Sequence, residues 1–74
     1  MNEPVCEQVG GEHYKDLPIQ PIDYIHRNGL GFVEGSIIKY VTRWRKKNGL
    51  QDLRKAESLI KYLIDITEFE QTGL

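Results

Sequence analysis

Seventy-four residues, 39% hydrophobic and 28% charged, make one small globular domain rather than a disordered tail. One cysteine and two histidines exclude an internal disulfide and a zinc site of Cys/His spacing, and no apolar run approaches the length of a membrane span. The formal net charge of −1 disfavours a nucleic-acid-binding domain, because such domains are usually basic overall.

A chain this short hides a modest fraction of its surface and has no covalent or metal staple to compensate. Self-association into a homo-oligomer is therefore expected. No secretory leader is legible in Met1 to Gln8, so a cytoplasmic location with Cys6 as a free thiol is expected.

Residues 1–20 show no sustained period and carry Pro4, Gly10-Gly11 and Pro18, all marks of irregular backbone. They read as an arm or loop, and residues 21–74 as a helical domain. Pro21 suits the first turn of a helix, where its missing N–H is harmless. That helix should run through Ile22, Tyr24 and Ile25 to Asn28, with Asn28-Gly29 as a left-handed stop.

The second helix is expected from Phe32 to Lys47. Val33, Ile37, Tyr40, Val41 and Trp44 recur at the spacing of one apolar helical face. Arg45, Lys46 and Lys47 suit the negative end of the helix dipole, and Asn48-Gly49 repeats the stop. The third helix is expected from Leu50 to about Phe69. Its stripe comprises Leu50, Leu53, Ala56, Leu59 or Ile60, Leu63, Ile66 and Phe69, with Asp52 in the first turn where an acid is favoured. A link of a few residues implies an antiparallel helical hairpin. The fold class is all-α: irregular arm, short first helix, hairpin.

Between Lys39 and Lys55 stand seven Lys or Arg and one acid, Asp52. At about 100° per residue, Ser36, Lys39, Arg43, Lys46 and Lys47 cluster apart from the apolar face. Lys39 and Arg43 are four residues apart and could grip one anion together. Ser36 adds a hydroxyl, and Gly35 allows a ligand close to the backbone. Such a face is either a solvated side or a site for a nucleotide or other phosphate-bearing small molecule; both readings stay open. A confined patch fits a small anion better than nucleic acid.

Gly10 to Lys15 is the second unusual stretch. Two glycines permit close backbone approach. Gly11, His13, Tyr14 and Lys15 could join Ser36, Lys39, Arg43 and Lys46 around a ligand, with a base stacked on Tyr14 and Lys15 near its phosphate. Equally, Tyr14 could pack the arm onto the helices. Carboxylates for a metal are sparse: Glu34 is the sole acid of the second helix, and Asp65, Glu68 and Glu57 lie on the third. No metal or other cofactor is expected on these grounds.

The pieces GGEHYK (Gly10 to Lys15), IQPIDYI (Ile19 to Ile25) and NGLGFVEGSIIKYVTRWRKKNGLQDLRKA (Asn28 to Ala56), in this order, resemble a family of small phage and prophage proteins. That family has long been labelled only as a domain of unknown function. The same domain looks similar to part of an early podophage nucleotide kinase that phosphorylates deoxynucleoside monophosphates. The resemblance implies a nucleotide ligand. A kinase would need magnesium and two nucleotide sites, and no Walker-type phosphate loop is present. By analogy with small phage proteins that sequester nucleotide immune signals, the expected function is nucleotide or cyclic-nucleotide binding without chemistry. The alternatives are a nucleoside monophosphate kinase or kinase subunit, and a helical adaptor or inhibitor of a host protein.

Overall fold

The computed structural model of the chain describes residues 14–72. Three helices follow one another: α1 (Pro21–Arg27), α2 (Phe32–Arg43) and α3 (Leu50–Gln71). No strand occurs among the described residues, so the all-α expectation holds. α2 lies in the middle, with α1 packed on one side and α3 returning along the other.

Each helix boundary has a local cause. α1 opens on Pro21. It closes where the Leu30 N–H donates to the Ile25 carbonyl at 3.0 Å and the Gly29 N–H to His26 at 3.1 Å. Gly29 has φ +66°, a value that glycine reaches without steric cost, and the bond pattern is a Schellman stop. α2 opens at Gly31, whose N–H donates to Glu34 Oε1 at 2.6 Å. Gly31 has no side chain to reciprocate, so only one half of a capping box is present.

The α1–α2 contact depends on a missing side chain. A Cβ on Gly35 would lie 2.9 Å from Ile25 Cγ2, so the glycine lets the two helices approach. Gly35 is buried. The expectation that it opens the backbone to a ligand is corrected: α1 occupies that space.

The second helix was expected to reach Lys47. Instead α2 ends at Arg43, and Trp44–Lys46 forms a single 3-10 turn. The tightening follows from the link. Gly49 sits at φ +59°, ψ −130°, and its N–H donates to the Trp44 carbonyl at 2.8 Å. Lys47–Gly49 then reverses the chain.

α3 has 22 residues and α2 has 12, about 33 Å against 18 Å at 1.5 Å per residue. The C-terminal part of α3 therefore runs beyond its partner. Among the described residues the buried apolar side chains are few, Tyr14, Pro21 and Ala56. Leu50 and Phe69, the two ends of the expected stripe, are exposed: Phe69 lies in the part of α3 beyond α2, and Leu50 faces away from the Asp52–Ala56 side.

Candidate functional site

At the loop end of the hairpin a charged cluster replaces the apolar core. Asp52, in the first turn of α3, has 0% exposure. Its carboxylate accepts four hydrogen bonds: from Arg43 Nε and Nη2, from the Asn48 backbone N–H and from Asn48 Nδ2, each at 3.3 Å. These bonds occupy the acceptor positions of both oxygens. Arg43, at the end of α2, is engaged as a two-pronged fork, and its side chain is 12% exposed. Its guanidinium also lies 4.8 Å from the Tyr40 ring centre, within cation–π range.

Burial alone would push the Asp52 carboxyl up. The hydrogen bonds from Arg43 and Asn48, with the Arg43 charge, overcome it and hold the carboxyl below the ordinary aspartate range. For Arg43, burial alone would lower the pKa; bonding to Asp52, its charge, and Tyr14 raise it instead. Both groups are thus ionised at neutral pH.

Tyr14 brings the preceding segment to this cluster. Its ring is buried and its hydroxyl interacts with Arg43. Gln20 Nε2 ties the segment down, donating to the Tyr14 carbonyl at 2.9 Å. Two residues on, Asp16 approaches Lys46 at 3.9 Å, both side chains being well exposed. Tyr14 and Asp16 thus bring this segment to the end of the basic helix. Tyr14 is not a base-stacking platform, however, because its ring is used to pack the segment down.

Arg43 also departs from its expected role. Its fork is already filled by Asp52, so Lys39 and Arg43 do not form a joint clamp. Lys39 is exposed and, among the described residues, ion-pairs with no carboxylate. Among the described residues Lys46 has only its long contact to Asp16. Ser36 is half-buried on the same face, and Lys15 is exposed. Gly11 and His13 lie outside the described residues.

Two aromatic residues on this side were not among the expected binding residues. Phe32 is 84% exposed and stands four residues before Ser36 and seven before Lys39, which places all three on one helical face. Tyr62 is exposed on α3, seven residues after Lys55, whose Nζ lies 5.5 Å from the Tyr40 ring centre. The i, i+4, i+7 spacing from Phe32 was the available clue.

The exposed side thus offers cations and flat apolar surfaces around a rigid neutralised pair. It can attract phosphate through Lys39 and Lys46 and cover a planar ring with Phe32 or Tyr62. Among the described residues no group of three or more His, Cys, Asp or Glu is placed to hold a metal ion. No helix among them is long and apolar enough to cross a membrane.

No curated protein and no solved structure matches the chain. A family profile described as a protein of unknown function, DUF3310, matches residues 2–63. That span takes in the segment before α1, α1 and α2, the turn and most of α3, and on this match the chain belongs to the DUF3310 family.

Proposed function

We propose that the protein binds a nucleotide or another phosphate-bearing small molecule on the Phe32–Ser36–Lys39 face of α2. The observation that supports this reading is the pairing of uncompensated charge with exposed aromatic surface. Lys39 lacks a carboxylate partner among the described residues, while Phe32 on the same face is almost fully exposed. Lys46 and Lys15 extend the positive charge toward the docked segment. Arg43 acts as a positioning residue, holding Tyr14 and the turn in place. The resemblance to phage proteins extends the reading to sequestration of a nucleotide or cyclic-nucleotide signal, without chemistry, in the cytoplasm of a host cell.

The test is calorimetry at low ionic strength against deoxynucleoside monophosphates, cyclic nucleotides and inorganic phosphate. Binding of a nucleotide should weaken about tenfold in Lys39→Ala, the loss of one charge-assisted contact. Phe32→Ala should weaken nucleotide binding but leave phosphate binding unchanged. Absence of heat and of any thermal shift across the panel rejects the reading. Conversion of a monophosphate to a diphosphate by a triphosphate donor with magnesium would show a kinase instead.

A further inference from the structure

The side of the hairpin away from the cations is apolar and uncovered. On α2, Ile37, Val41 and Trp44 fall within an arc of about 60°, and on α3 Leu53, Ile60 and Ile64 within about 40°. Arg43 and Lys55 both reach the Tyr40 ring, which fixes one side of the antiparallel pair. The handedness of the helices then puts the two apolar arcs together on the other side. Val41, Ile60 and Ile64 are exposed; Ile37, Trp44 and Leu53 are half-buried.

We infer that this face is the contact between two copies of the chain, stacked with Ile60 and Ile64 near the centre. Two observations point to a second copy. The smallest dimension is 15 Å, and a helical domain needs a second packed layer to close a core. The rims are also complementary. Arg45 borders the face on α2 and Glu57 borders it on α3, both exposed. A twofold stack sets α2 over the other copy's α3, so opposite charges meet along each edge. This contact is independent of the nucleotide reading, since it uses the opposite side of the hairpin.

Sedimentation equilibrium on the full chain without nucleotide tests it. The expected mass is a multiple of the 8.6 kDa chain at micromolar concentration. Trp44, the one tryptophan, should shift its emission to the red as dilution separates the copies. Ile60→Lys with Ile64→Lys should give single chains of unchanged helicity, whereas Tyr62→Lys, on the Lys55 side of α3, should associate like wild type. If the double variant unfolds, the dilution series on the wild type decides. A single-chain mass at the highest concentration, a double variant that associates normally, or dissociation without a change in Trp44 emission would each overturn the proposal.

Discussion

The two ends of the hairpin are held by different chemistry. At the loop end, Asp52 is wholly buried and its carboxylate is bonded to Arg43 and Asn48. At the open end, α3 continues past α2 with Ile64 and Phe69 exposed. The loop end is complete within one chain, because a charged pair with all its hydrogen bonds made tolerates removal from water. The open end buries little, because one layer of helices encloses no interior. The difference teaches that this sequence specifies its hairpin through a polar junction, and that one chain leaves many of its apolar side chains uncovered.

The largest effect should come from removing one half of the junction. Asp52→Ala leaves Arg43 buried beside Tyr14 and Tyr40 without its anion. A melting temperature lower by roughly 10 °C or more is expected by thermal circular dichroism, in line with the loss of a buried ionic partner in a small domain. Arg43→Lys keeps the charge but not the fork, and about half that loss is expected. A variant at either position that melts like wild type would show that the junction does not hold the hairpin.

Acid should reproduce the same loss without mutation. The folded Asp52 pKa lies below its ordinary value, so the folded state binds fewer protons there than the unfolded chain. Its stabilising contribution is present above the ordinary aspartate range, and fades as pH falls below about 4 toward the folded pKa. Melting temperatures recorded from pH 7 to pH 2.5 should be level at first and then fall. The Asp52→Asn variant should show a shallower acid decline.

A smaller effect is expected at the α1 contact. Gly35→Ala improves helix propensity by about 1 kcal/mol but sets a methyl against Ile25 Cγ2. Overpacking typically costs about 1–3 kcal/mol, so a net loss near 1 kcal/mol in urea denaturation is expected. Ile25→Leu removes the β-branch and should restore part of it. The smallest effect on stability should be Lys39→Ala, within about 0.5 kcal/mol of wild type as for an exposed, unpaired side chain. Its consequence should appear in ligand binding alone.

These residues also show what the sequence could disclose. The spacing of Val33, Ile37, Tyr40 and Trp44 identified α2, and Gly29 and Gly49 marked the stops, because both signals are local. The tail of the expected second helix was misread because the 3-10 turn depends on how Gly49 closes back on Trp44. Asp52 was visible only as a first-turn acid; its partner Arg43 is nine residues away across a reversal. The basic face was legible as charge, but charge alone does not tell a cation that meets solvent from one that meets an aspartate. Lys39 and Arg43 look alike in the sequence and differ completely in the fold. Tyr14 likewise offered a stacking ring or a packing ring, and a contact 29 residues away in sequence decides between them.

The most direct test of the polar junction is a carbon-detected NMR titration of the Asp52 carboxyl alongside the amide spectrum. The carboxyl should stay ionised as pH falls through the ordinary aspartate range, and dispersion of the amide signals should collapse as it finally takes up a proton. Protonation at or above the ordinary value, with the amide spectrum of the hairpin unchanged, would contradict the account.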